Sequence, residues 1–287
     1  MTLAEAILAT LAYHDIFDYP LKKEEIRNYL ISRKAGAGQL KDALKRLLLA
    51  KKVVQSRGYF SLKNRPNLAA TRISKEKYSQ SKLKRAFFYC TLLTLIPGVK
   101  MVAVSGALAM QNSDKDDDID LVIVASGGFL WTTRFFANVL LTPFRRKPGS
   151  DKKSNKACLN LFLDENDLKI KDQNLYTAHE LAQMKVLFDR DNTYEKLIKN
   201  NAWIKKLLPN WQPDEKHKAA GSKKKNSSFI LEHILRLIQL SYMRSKITTE
   251  QISSTQLFFH PKNIQMWVLK EYEKRLKRET FSRHGRN

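Results

Sequence analysis

The chain has 287 residues, of which 52 are Lys or Arg and 28 are Asp or Glu, for a formal net charge of +24. A hydrophobic content of 43% suits one sizeable α/β domain with smaller attachments. The charge favours polyanions, nucleic acid first, through phosphate contacts and counterion release; a charge that only maintains solubility is the plain alternative. The most apolar windows are interrupted by Pro97, Gly98, Lys100 and Arg134, which excludes a membrane helix, and the start MTLAEAILATLAYHDIFDYP lacks a basic leader. A soluble, cytoplasmic protein without membrane contact is expected. Cys90 and Cys158 lie in apolar stretches and read as small core residues of a reducing compartment, not as metal ligands.

In chain order, helical patterns cover about Leu3 to Tyr13, Lys22 to Ser32 and Gln39 to Leu49, followed by two short β-prone runs around Ser56-Arg57-Gly58. Three helices and a hairpin resemble a winged helix-turn-helix. A long helix is expected from Asn67 to about Leu95, with an apolar stripe through Leu68, Ile73, Tyr78, Leu83, Phe87 and Leu92. The pattern then turns α/β: a strand MVAVS, a turn at Gly106, a strand IDLVIVA, a helix from about Leu130 to Leu141 and a strand CLNLFLD. Helices are expected at Leu175 to Phe188 and Tyr194 to Leu207. PNWQPDEKHKAAGSKKKNSS reads as a solvated linker, and two more helices span about Ser228 to Ser245 and Pro261 to Lys277. The expected units are therefore 1–64, 65–207, a basic linker 208–226 and a helical region 227–287.

The stretch Val104 to Val124 carries the chemistry. A strand ends in Ser105-Gly106-Ala107, and Asp118-Ile119-Asp120 heads the next strand. Residues i and i+2 of a strand point to one face, so both carboxylates can converge on a hard cation, and a glycine turn allows backbone to approach phosphates closely. Through Gly106, Ala109, Asp118, Ile119, Asp120 and Leu121 the stretch resembles the signature of polymerase-β-type nucleotidyltransferases. The resemblance covers about a hundred residues of strand-turn-strand context.

The resemblance implies an α/β fold with a mixed sheet, a Mg²⁺ or Mn²⁺ ion on Asp118 and Asp120, and a nucleoside triphosphate held by Ser105, Gly106, Ala107 and Arg134. Arg145, Arg146 and Lys156 are secondary phosphate candidates. The implied reaction moves a nucleoside monophosphate to an acceptor hydroxyl on RNA or protein. Two departures stand out: Ala107 replaces the family's serine after the glycine, and Asn160 falls where a third carboxylate is common. An amide oxygen can join Asp118 and Asp120 on a metal, but it cannot act as a base. Asp164, four residues further along the strand, is the alternative third acid.

In the N-terminal unit, Lys41, Lys45 and Arg46 on the third helix and Arg57 on the wing are the candidate nucleic-acid contacts. Tyr13, Phe17 and Tyr19 read as core. His233 and His260 lack partners at zinc-ligand spacing. Two rival functions are a nucleic-acid-binding regulator with an inactive nucleotidyltransferase-like domain, and a small-molecule nucleotidyltransferase of the antibiotic-modifying type.

Overall fold

The structure, a computed structural model, describes residues 1–63, 65, 67–146, 153–213, 229–244, 250–259 and 262–281. Helix α1 (Leu3–Asp15) starts at a capping box, in which the Thr2 hydroxyl accepts the Glu5 N–H at 3.3 Å and Glu5 accepts the Thr2 N–H at 2.9 Å. After α2 (Lys23–Asn28) and α3 (Ala37–Leu49), strands β1 (Val53–Ser56) and β2 (Tyr59–Leu62) pair across Arg57 and Gly58. Those two residues have φ of 50° and 83°, the left-handed pair that a two-residue hairpin loop needs. Leu11, Ile26, Leu40, Leu44 and Phe60 make a local core, and Leu21 bridges to Phe60.

Helix α4 (Leu68–Thr94) buries Leu68, Arg72, Ser79, Lys82, Leu83, Ala86, Tyr89 and Leu93. The inward stripe is therefore partly polar, and Tyr78 and Phe87, expected on it, are exposed. Polar groups on the stripe have fixed partners. Arg72 sits 3.8 Å above the Tyr19 ring, pairs with Glu25 at 2.7 Å and Glu76 at 3.2 Å, and donates to the Pro20 carbonyl, joining α4 to the N-terminal unit.

The remaining elements are β3 (Val99–Val104), α5 (Gly106–Ala109), β4 (Ile119–Ala125), α6 (Leu130–Leu140), β5 (Ala157–Asp164), α7 (Leu175–Gln183), β6 (Lys185–Asp189), α8 (Thr193–Asn200), α9 (Ile204–Leu207), α10 (Phe229–Arg244), β7 (Gln251–Ile252), β8 (Gln256–Phe258) and α11 (Lys262–Phe281). The six strands form one mixed sheet in the order β6-β3-β4-β5-β8-β7, with β4 and β5 parallel and the other neighbours antiparallel. One face, through Met101, Ala103, Val122, Val124 and Leu163, packs on α7, α8 and Trp211. The other, through Val102, Val104, Leu121, Ile123 and Phe162, packs on α4 and α6. Among the described residues no helix is long and apolar enough to cross a membrane.

Three expectations change. Lys185–Asp189 is a strand rather than the end of a helix, because pairing with β3 satisfies its backbone at the sheet edge. The segment expected to join two C-terminal helices supplies β7 and β8, which extend the sheet beyond β5. The expected linker begins in the core: Leu208 and Trp211 are buried, and the indole N–H donates to the Ala182 carbonyl at 2.9 Å. Residues 214–228 of that linker lie outside the described residues.

The N-terminal unit is docked on the sheet domain. Tyr13, expected in the core, is buried and stacks on His179 at 4.0 Å, Tyr19 is buried too, and Phe17 is 37% exposed. Asp15 pairs with Arg275 of α11 at 3.0 Å, and the Ser32 N–H donates to Leu207. His14 and His179 face each other across Gln183, both buried. Burial pushes His14 down to about 4, and burial with His14 beside it holds His179 well below the usual range.

Both rings are neutral in the fold and charge more readily when unfolded, so their contribution is present above about pH 6.5 and is lost as pH falls toward 4. Each costs about 1.4 kcal/mol per pH unit within that window. Chemical denaturation of wild type and His179→Phe between pH 4 and 6.5 is expected to show a pH slope about one proton smaller in the variant. Equal slopes would mean that His179 is not held neutral by the fold.

Candidate active site at the sheet edge

The C-terminal end of β3 and the N-terminal ends of β4 and β5 meet at one edge of the sheet. The Ser105 N–H donates to the Asp120 carbonyl at 3.1 Å, extending the β3–β4 ladder by one step, and Asp120 stands opposite Cys158 in the parallel register. Ser105, Asp120 and Cys158 therefore form a row across three strands, on the face that Val122 buries against α7. Asp118, two residues before Asp120, joins them. An oxygen of each Asp and the sulfur of Cys158 lie within 4.8 Å of one another.

Burial and the Asp118 charge push the Asp120 carboxyl up to about 7, against the Cys158 thiol that donates to it and nearby Arg146. Burial and both carboxylates push the Cys158 thiol up. Asp118 takes Arg146 as its counter-ion at 2.9 Å. Two other acids in this stretch, Asp117 and Asp114, are occupied elsewhere. Asp117 caps its own loop through the Asp114 N–H at 2.7 Å, and Lys82, reaching in from α4, donates to the carbonyls of Lys115 and Asp117. Lys75 pairs with Asp114 at 3.0 Å.

The predicted nucleotide-binding residues surround the carboxylates but open onto different cavities. Ser105 is buried, its hydroxyl without a partner, and it lines a cavity with Asn160, Tyr176 and Glu180. Gly106 and Ala107 line a second, of about 220 Å³, shared with Tyr13, Phe17 and Glu180 where the N-terminal unit meets the sheet domain. Arg134 lines a third, of about 370 Å³, with Arg145, Arg146 and Cys158. It donates to Gln239 and lies 5.0 Å from the Phe259 ring, and burial with Arg145 nearby pulls it down to about 10. Lys156 only reaches the Pro143 carbonyl at 3.5 Å.

Asn160 is on the expected face, but a register shift after Leu121 places it past the pair Leu121–Leu159, one step deeper than Cys158. The residue facing Asp120 is thus Cys158, expected as a small core residue. Asp164 is at the far end of β5, opposite Ala125, where it accepts the N–H groups of Gly128 and Asn166; it caps that turn and takes no part at this edge.

One residue was missed. Glu180 on α7 lies by the Gly106 backbone N–H; burial together with Asp120 pushes it up to about 7, against that N–H. It lines both cavities on the α7 side. Its signal in the sequence is an acid four residues after Tyr176 within the apolar helix LYTAHELA, a pattern that marks a buried acid without naming its partner.

Gly106 has φ of 60°, and a Cβ there would stand 3.3 Å from the Asp120 Oδ2. Gly106→Ala is expected to destabilise the chain by about 1–2 kcal/mol through the left-handed backbone, and to weaken divalent-cation binding by displacing the Asp120 carboxylate. Thermal denaturation and calorimetric titration check both; a variant unchanged in both would show that the close approach is incidental.

Compared with known proteins, the chain matches no protein-family model, and no curated protein is significantly similar to it.

Proposed function

We propose that the chain is a metal-dependent nucleotidyltransferase of the polymerase-β type, with an N-terminal winged helix-turn-helix. The observation that carries this reading is the convergence of Asp118 and Asp120 at the head of β4, backed against the Gly106 turn and flanked by three arginines. The two carboxylates fit Mg²⁺ or Mn²⁺, which commonly takes one or two protein carboxylates and completes its shell with phosphate and water. When bound, the ion supplies charge neutralisation to the attacking and leaving oxygens.

The chain's own residues supply the rest. The phosphates are assigned to Arg134, Arg145 and Arg146, which line one cavity with Cys158. Arg146, paired with one oxygen of Asp118, would stand beside a phosphate on any ion that the other oxygen held. Glu180 is assigned as acceptor of the proton from the attacking hydroxyl, a role that the Asn160 amide cannot fill. Lys41, Lys45, Arg46 and Arg57 are exposed and enter no ion pair among the described residues, which suits a recognition helix and wing on a nucleic-acid acceptor.

A second reading, a nucleic-acid-binding regulator whose nucleotidyltransferase-like domain only senses nucleotide, is favoured by Cys158 facing Asp120. It differs in one outcome: nucleotide binding without transfer.

With labelled nucleoside triphosphates, Mg²⁺ or Mn²⁺ and RNA or protein acceptors, Asp118→Asn and Asp120→Asn are expected to abolish transfer, and Glu180→Gln to slow it while triphosphate binding persists. The metal-free Asp120→Asn protein is expected to be more stable than wild type at pH 8, with the advantage shrinking as pH falls. A carboxyl raised in the fold is most stabilising when protonated, and that contribution is lost as pH rises from about 3.8 through about 7. Full activity in both Asp variants would remove the enzyme reading.

If the N-terminal unit grips a polyanion, log affinity falls with log salt by about 0.9 for each phosphate contact on duplex DNA. In the full chain, replacing Lys45, Arg46 and Arg57 with Ala is expected to flatten that slope by about one unit per lost contact. An unchanged slope would assign the unit to protein contact.

A further inference from the structure

We propose that the sheet-edge centre is also a thiophilic metal site, in which, without nucleotide, Asp118, Asp120 and Cys158 together take a zinc-class cation in preference to Mg²⁺. The inference deepens the reading above, because it concerns which ion the same carboxylates select, but its test does not depend on nucleotidyl transfer.

Two acids alone would suit any hard cation. The sulfur changes the selectivity, since thiolate is a poor ligand for Mg²⁺ and a strong one for Zn²⁺. Its position follows from strand pairing: the parallel register of β4 and β5 sets Cys158 beside Asp120, and all three ligand atoms already lie within 4.8 Å. Ligands of one tetrahedral zinc, at about 2.0–2.3 Å from the metal, stand roughly 3.3–3.7 Å apart. Closing that gap takes side-chain rotations of about an ångström on strand ends already fixed by the sheet. The cation displaces the thiol proton, which passes to solvent, and Arg146 holds one oxygen of Asp118 while the other stays available.

A second observation points to a ligand here. Ser105, the third member of the cross-strand row, bonds the Asp120 carbonyl through its N–H at 3.1 Å, is 4% exposed, and its hydroxyl has no partner among the described residues. A buried hydroxyl without a hydrogen bond is costly, and a water or substrate oxygen completing the metal's shell would satisfy it. Three protein ligands and one open position is the arrangement of a zinc site that exchanges its fourth ligand.

The test is optical. Titrating the metal-free full chain with Co²⁺, without nucleotide, is expected to give a thiolate-to-cobalt charge-transfer band that saturates at one ion per chain. Zn²⁺ should bleach it stoichiometrically, whereas a large excess of Mg²⁺ should leave it in place. Cys158→Ser is expected to lose the band and at least about tenfold in Zn²⁺ affinity, and Asp118→Asn, which keeps the thiol, to weaken the band's titration at least about tenfold. Co²⁺ binding without a charge-transfer band, no binding, or displacement by equimolar Mg²⁺ would each overturn the inference. Those outcomes leave the nucleotidyltransferase reading intact, and that reading fails separately if Asp118→Asn and Asp120→Asn remain active with Mg²⁺.

Discussion

Two carboxylates held close together at the edge of a sheet, one of them largely enclosed, repel each other unless positive charge is brought in. Asp118 and Asp120 meet this constraint with unequal means: Asp118 pairs directly with Arg146, while Asp120 has the Cys158 thiol, Arg146 nearby, and a neighbouring acid, Glu180, which burial also biases toward its neutral form. Neutral Asp120 and Glu180 relieve the repulsion without metal, and a cation would relieve it with both ionised. Like acids gathered without structural need are the strongest physical argument that this edge binds something positive.

The surrounding architecture keeps the acids in place while tying up competing charges. Lys82 and Lys75 from α4 are spent on the loop before β4, and Asp117 is folded back onto that loop. Asp164 is fixed at the opposite end of β5. What remains free to act is a small group: two acids, a cysteine, a serine hydroxyl, Glu180 and the arginine-lined cleft. Arg72 and the His14–His179 contact press the N-terminal unit against the same edge, so its aromatic residues wall the cavity beside Gly106.

Much of this was legible in the sequence, for identifiable reasons. The helix and strand periods around β4 and β5 are regular, and the Asp-x-Asp spacing states its own geometry, so the mixed α/β class and the convergence of Asp118 and Asp120 followed from local pattern. What was not legible depends on pairing between distant segments. Lys185–Asp189 and Gln256–Phe258 become strands because sheet edges accept them, and no local signal says so. The register shift that puts Cys158 opposite Asp120 and Asn160 one step beyond is likewise invisible in a string of residues. Glu180 reaches Gly106 from a helix far along the chain, and Trp211 was hidden by the polar composition that follows it.

Asp118 and Asp120 are proposed to hold a divalent cation together with a nucleoside triphosphate. Electron paramagnetic resonance of free Mn²⁺, titrated with the full chain in the presence of a non-hydrolysable triphosphate analogue, tests it without reference to any acceptor. Wild type is expected to withdraw Mn²⁺ from solution in step with the analogue, and the Asp118→Asn and Asp120→Asn proteins to leave it free. Equal withdrawal by all three proteins, or none by wild type, would contradict it.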